Sequence, residues 1–120
     1  MPNILIVEDS AEFKHIYIQL LSMYKFGVNA VDTGKNIHAV IEKFKPDLIL
    51  LDVYLGGEDG RDICKAIKQT HKSIPVIMVS ISGRLKEKSI ACGADDYLKK
   101  PFDIKYLMDK VYQWTQNISN

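Results

Sequence analysis

Four consecutive apolar residues, Leu48 to Leu51, run without alternation into the carboxylate of Asp52, and no other stretch constrains the fold as tightly. A strand buried on one face alternates apolar and polar residues, whereas an unbroken run fits a strand of a parallel sheet covered on both faces. A buried helix could also supply such a run, but Pro46 before it and Gly56-Gly57 soon after leave too little length. In an open parallel sheet, ligands bind beyond the carboxyl ends of the strands. Asp52 is therefore placed where chemistry happens, although a loop aspartate making a turn or cap would read the same way in isolation.

The rest of the chain supplies the partners such a strand needs. Asn3-Ile4-Leu5-Ile6-Val7 is a second buried strand that also ends in acid, at Glu8-Asp9, and Ser10 is a candidate N-cap for a first helix. From Phe13, apolar residues recur at Ile16, Leu20 and Tyr24, widened by Tyr17 and Leu21, and predict a helix stopped by Gly27. A short strand at Val28 to Val31 precedes a helix carrying Ile37, Val40, Ile41 and Phe44, closed before Pro46. After Asp52 a glycine-punctuated loop runs through Gly60 into a helix with Ile63, Ala66 and Ile67; Pro75 to Val79 is the fourth strand. A polar helix from about Leu85 to Cys92 stops at Gly93, a fifth strand comes next at Tyr97-Leu98, and Ile104, Leu107, Met108 and Val111 mark the last helix. The pattern is five strands and five helices in strict alternation, which predicts an α/β, doubly wound, five-stranded parallel sheet. One order open to it is 2-1-3-4-5, the flavodoxin-like arrangement.

At 120 residues the chain fits a single domain spanning 1–120, able to bury roughly two thirds of its unfolded surface. A charge of only +1, with basic residues spread along the chain, gives no reason to expect direct contact with nucleic acid; protein partners are expected instead. Cys64 and Cys92 lack metal-ligand or redox spacing and read as reduced packing residues, while His15, His38 and His71 read as surface or packing residues without partners. The first 20 residues hold no signal-peptide core, and no apolar run approaches the ~20 residues of a membrane span, so a cytoplasmic location is expected.

In the order 2-1-3-4-5 the first and third strands are neighbours, and Glu8, Asp9 and Asp52 converge at one sheet edge. Three carboxylates there repel one another unless a cation or proton intervenes. A hard divalent ion such as Mg²⁺, which takes oxygen ligands from one or two carboxylates and a phosphoryl group, meets that need. Ser80 at the end of strand four adds a hydroxyl, and Lys100 just beyond strand five adds a cation. A serine or lysine in such a place is usually only solvated; the combination with the acids carries the weight.

Ile-Val-Glu-Asp, Leu-Leu-Asp, Met-Val-Ser and Lys-Pro-Phe, in this order, resemble the receiver domain of two-component response regulators of the chemotaxis-regulator type. The likeness covers essentially the whole chain, including Asp59-Gly60 and the Gly93-Ala94-Asp95-Asp96-Tyr97-Leu98 approach to Lys100. It implies a phosphorylation-dependent signalling switch rather than an enzyme with a separate substrate. Asp52 would be the phosphoacceptor, Asp9 a direct ligand of Mg²⁺ (or Mn²⁺), Glu8 a ligand through water, and Tyr54 a ligand by its backbone carbonyl. Lys100 would bind the phosphoryl oxygens and hold Asp52 at rest, with Ser80 hydrogen-bonding the phosphoryl group. The Lys100-Pro101 bond would be cis. The resemblance further implies phosphoryl transfer from a histidine kinase or phosphotransfer protein, with self-phosphorylation and self-dephosphorylation confined to Asp52.

Output would leave through the face built by the fourth predicted helix, the fifth strand and the last helix, with Ser80 and Tyr97 as the switch pair. That face, where Lys105, Asp109 and Tyr112 are candidate contacts, would serve a downstream protein, a fused output domain or a dimer. The polar opening Arg84-Leu85-Lys86-Glu87-Lys88-Ser89 gives the fourth helix little apolar anchorage. Three departures from the family pattern stand out: Gly56 replaces the usual proline, Ile81 a usual alanine or glycine, and Ser80 the commoner threonine. Ile81 and Tyr54 would obstruct access to Asp52.

Competing readings are weaker. A flavodoxin-like mononucleotide binder lacks a phosphate-cradling loop after strand one, where Glu8-Asp9-Ser10 stands instead. A metal-dependent phosphohydrolase needs a further acid or base near its nucleophile, and no Asp-x-Asp occurs at Asp52. A pseudo-receiver that only mediates contacts would not need the full acidic set with Lys100.

Overall fold

A computed structural model describes residues 1–81 and 91–116 of the chain. In chain order its strands are β1 (Asn3–Val7), β2 (Gly27–Val31), β3 (Leu48–Asp52), β4 (Tyr54–Leu55), β5 (Glu58–Asp59), β6 (Val76–Ser80) and β7 (Asp96–Lys99). Five of them form one parallel sheet in the order β2-β1-β3-β6-β7. This is the doubly wound order expected from the sequence, with β1 and β3 side by side. Among the described residues the helices are α1 (Ala11–Met23), α2 (Ile37–Phe44), α3 (Gly60–Thr70) and α4 (Ile104–Gln116). The helix expected from Leu85 to Cys92 lies outside the described residues, apart from Ala91 and Cys92, which are helical; Gly93 comes next with φ +86, a conformation open to glycine.

Strand alternation explains why the central runs are apolar throughout. Leu5, Val7, Ile49, Leu51, Val76 and Met78 point to one face, where Ile37 and Ile41 of α2 and Ile63 and Ile67 of α3 cover them. Ile4, Ile6, Leu48, Leu50, Ile77 and Val79 point to the other, beneath Tyr17 and Leu21 of α1 and Leu107, Met108 and Val111 of α4. Cys64 and Cys92 are buried in the first of these layers, the Cys64 thiol donating to the Cys92 carbonyl at 3.6 Å.

Several local expectations need correction. Helix α1 ends at Met23, not at Gly27: Phe26 N–H donates to Leu21 O and Lys25 N–H to Ser22 O, with Lys25 at φ 68. This is a Schellman stop in which lysine takes the left-handed position usually given to glycine; Gly27 instead opens β2. Helix α1 also turns Tyr17 and Leu21 inward and leaves Ile16 and Tyr24 exposed, so the buried stripe is rotated from the one expected. The loop after Asp52 is partly ordered as a small antiparallel hairpin of β4 with β5, which glycine punctuation conceals in the sequence.

Helix α4 is fastened to β7 by a polar knot. Asp96 accepts from Lys110 Nζ at 2.9 Å, Trp114 Nε1 at 2.8 Å and the Tyr97 N–H at 2.8 Å. Burial works against the carboxylate, yet the Trp114 and Lys110 donors outweigh it and hold its pKa below the ordinary aspartate range. Tyr112, expected as an exposed contact, is half-buried and packs on Phe26 and Tyr24.

Candidate phosphoacceptor site

Parallel pairing brings the acids together. The register sets Val7 opposite Leu51, so Glu8 and Asp9 leave β1 beside Asp52, the last residue of β3. One oxygen each from Glu8, Asp9 and Asp52 lies within 4.8 Å of the others. Glu8 and Asp52 are buried, whereas Asp9 is exposed at the mouth. Backbone donors fix all three: Ser10 N–H on Glu8 Oε2 at 3.2 Å, Gly56 N–H on Asp9 Oδ2 at 2.7 Å and Tyr54 N–H on Asp52 Oδ1 at 3.3 Å.

Lys100 enters from the end of β7, next to the cis Lys100-Pro101 bond. Its Nζ lies 2.7 Å from Glu8 Oε1, 3.5 Å from Asp52 Oδ2 and 3.9 Å from the centroid of the Phe13 ring. The ring face adds a cation–π contact to the ion pairs. Ser80 is buried at the end of β6; Asp52 pairs in register with Val79, so Ser80 lies one residue beyond it on the adjacent strand. Tyr97 sits on β7 opposite Met78, half-buried against the α2/α3 layer. Tyr54, two residues beyond Asp52, is 51% exposed, and Ile81, next after Ser80, is 70% exposed.

Burial raises the Asp52 pKa to about 6; a hydrogen bond with Glu8 and the Glu8 charge add to the rise, opposed by Lys100 and the Tyr54 N–H. At neutral pH the cluster thus holds three acids against one lysine, and an excess of negative charge in a partly water-excluded pocket favours a cation. The donors are hard carboxylate oxygens, converging from two loop positions and one strand end. That all-oxygen set fits Mg²⁺ or Mn²⁺ and lacks the sulfur donors that soft ions prefer.

Some contributors are not evident from the sequence. Phe13 belongs by periodicity to the apolar face of α1, yet its ring roofs Lys100. Tyr17 is buried, and its phenol pKa is raised by burial and then by the charges of Glu8 and Asp52. The Gly56 N–H is a backbone group, invisible to residue typing. The spacing of Phe13, four residues after Asp9 on the first turn of a helix entered from the site, is the one signal that points to it.

Residues 4–112 match the family model described as "Response regulator receiver domain". The chain belongs to the response regulator receiver family. Among curated relatives, this receiver is 33% identical over 115 residues to the "DNA-binding dual master transcriptional regulator RpaA" of Synechocystis sp., covering 92% of the chain and 48% of the relative. It is 35% identical over 113 residues to the "Transcriptional regulatory protein CpxR" of Klebsiella pneumoniae, with 92% of the chain and 48% of that relative covered. The receiver therefore spans about half the length of the curated relatives it matches. A solved CheY-like response regulator receiver domain protein from Methanospirillum hungatei superposes with a TM-score of 0.89 at 25% identity, covering 98% of this chain and 95% of that one.

Proposed function

We propose that Asp52 is the phosphoacceptor of a signalling switch that takes its phosphoryl group from a phosphohistidine on a histidine kinase or phosphotransfer protein. The observation that carries this reading is the convergence of Glu8, Asp9 and Lys100 on the buried Asp52 at the open end of the sheet. An Asp52 oxygen forms the new P–O bond as the P–N bond of the donor breaks, and the departing imidazole takes up a proton. Lys100, already held over Phe13, neutralises phosphoryl oxygens that develop charge. Asp9, Asp52 and the Tyr54 carbonyl would hold Mg²⁺ (or Mn²⁺) directly and Glu8 through water, and the ion when bound would supply charge neutralisation and alignment of the transferring group. Ser80 donates to the phosphoryl group once it is in place. The same site completes its own phosphorylation from small donors and its own hydrolysis, and has no other substrate.

The chain acts as one receiver domain, 1–120, in the cytoplasm, with a downstream protein or a fused output domain as its target. The DNA-binding and transcriptional names of the relatives support the latter. Output leaves through the face carrying β7 and α4, where Tyr97 on β7 lies two residues from Lys99, the register partner of Ser80, and Lys105 and Asp109 stand exposed; a dimer could use the same face.

Incubation with phosphoramidate should add the mass of one phosphoryl group only with Mg²⁺ or Mn²⁺, and Asp52→Asn should accept none. Metal-independent labelling, or equal labelling of the variant, rejects the assignment. Hydrogen exchange with and without beryllofluoride and Mg²⁺ should alter protection of β7 and α4; a change restricted to Glu8, Asp9 and Asp52 removes that face as the output surface.

A further inference from the structure

The histidines at 38 and 71, distant in sequence, meet on the surface between α2 and α3. His38 Nδ1 lies 3.2 Å from His71 Nε2, with ring centroids 5.3 Å apart and ring planes 29° apart. His38 is in the first turn of α2, and His71 is the C-cap of α3. Expected from the sequence to be partnerless, they are a facing pair of imidazoles.

We propose that His38 and His71 form a binding site for a borderline divalent transition ion of the Zn²⁺ class, which clamps α2 to α3. Two imidazole nitrogens on tetrahedral zinc, with Zn–N bonds of about 2.0–2.1 Å, stand roughly 3.3 Å apart. The observed 3.2 Å separation is close to that value, so little side-chain movement is required. In the metal-free pair one ring N–H donates to the other ring's lone pair. Loading requires that this proton pass through solvent to the other nitrogen of the same ring, which frees both facing lone pairs without a net change in protonation. Water fills the remaining coordination positions.

The surroundings favour a cation. His71 lines a groove with Glu42, Lys45 and Asp47, so two carboxylates stand there against one ammonium. Glu42 lies one turn beyond His38 on the same side of α2. The C-terminal end of α3, where His71 sits, also carries the negative end of the helix dipole.

The clamp acts on a short, weakly capped helix. Helix α2 has 8 residues, its N-cap Asn36 makes no side-chain cap bond, and Asn36 and Lys45 flank it in left-handed conformations at φ 58 and 55. A helix this short depends on its packing, so an ion shared with α3 raises its protection by mass action. The site is separate in chemistry from the acidic cluster: nitrogen donors select Zn²⁺, Ni²⁺ or Cu²⁺ over Mg²⁺.

The test is calorimetric titration of the full chain with ZnCl₂ in saturating Mg²⁺, which blocks the carboxylate cluster. One Zn²⁺ per chain is expected, with affinity at least tenfold weaker in His38→Ala and in His71→Ala and unchanged in His15→Ala. Hydrogen exchange should show Zn²⁺-dependent protection of α2 in the wild type and none in His38→Ala. Absence of Zn²⁺ binding, or binding that survives both histidine substitutions, overturns the proposal.

Discussion

Lys100 Nζ is 2.7 Å from Glu8 Oε1 and 3.5 Å from Asp52 Oδ2, so the lysine that crosses from β7 makes its short ion pair with the acid of β1. All three groups are buried, and neither carboxylate can recover water if the cation is removed. Lys100→Met should destabilise the metal-free protein by about 3 kcal/mol at pH 8. The loss should shrink at pH 5, where Asp52 can take a proton instead. Denaturant titration at the two pH values measures both; an equal loss at each would show that the stem of the lysine, not its charge, matters.

The wild type should itself carry a pH signature. Folding raises the Asp52 pKa from 3.8 to about 6, so between these values the folded state binds more protons than the unfolded one. Stability contributed by this group is therefore full below about pH 4 and is lost as pH rises through 6, amounting to about 3 kcal/mol. In chelator, Asp52→Asn should abolish this component and be the more stable protein at pH 8. A wild-type stability curve with no fall between pH 4 and 7 relative to the variant would contradict the assignment.

Gly60 should resist substitution. A Cβ there would stand 2.1 Å from the carbonyl oxygen of Asp52 and 2.9 Å from Val53 Cα, both backbone atoms that cannot swing aside. Gly60→Ala should cost about 3 kcal/mol and reduce phosphoryl acceptance, because relief of the clash displaces either α3 or Asp52. Thermal unfolding within a degree of wild type would show that α3 starts farther from the strand end.

The Gly56 N–H holds Asp9 Oδ2 at 2.7 Å, leaving the other oxygen for a metal. Gly56→Pro restores the residue the family usually carries but deletes this donor. Mn²⁺ affinity, followed by electron paramagnetic resonance, should fall by about tenfold, as for lost outer-sphere support of a ligand. Unchanged affinity would mean that Asp9 is positioned by its place after β1 alone.

Tyr54, two residues beyond Asp52, and Ile81, next after Ser80, are both largely exposed, and their bulk should slow the approach of water to an aspartyl phosphate. Ile81→Ala should shorten the phosphoryl lifetime several-fold. If hydrolysis is unchanged or slower, polar positioning of water rather than shielding sets the rate.

The sheet order and the acidic cluster are legible in the sequence because they rest on features with strong local signatures: unbroken apolar runs, and the residues at which those runs stop. Leu48 to Asp52 and Ile4 to Asp9 carry both. What stays hidden depends on groups that residue identity does not encode. The β4/β5 hairpin looks like a glycine loop, the Schellman stop uses Lys25 where glycine is expected, and the Asp9 tether is a main-chain N–H. His38 and His71 read as solitary because they are 33 residues apart, and only the packing of α2 on α3 brings them together.

Trp114 is the chain's single tryptophan, and its indole N–H ends on Asp96, whose other oxygen receives the Tyr97 N–H. The fold has in effect wired an optical probe to β7, one residue from Tyr97. Emission from an indole depends on its hydrogen bond and on nearby charge. A displacement of β7 that stretches the Asp96 bond or moves Lys110 changes both at once. A phosphorylation-driven shift of β7 would therefore register in unlabelled protein, in real time, through a single fluorophore that lies on α4 and not among the acids themselves.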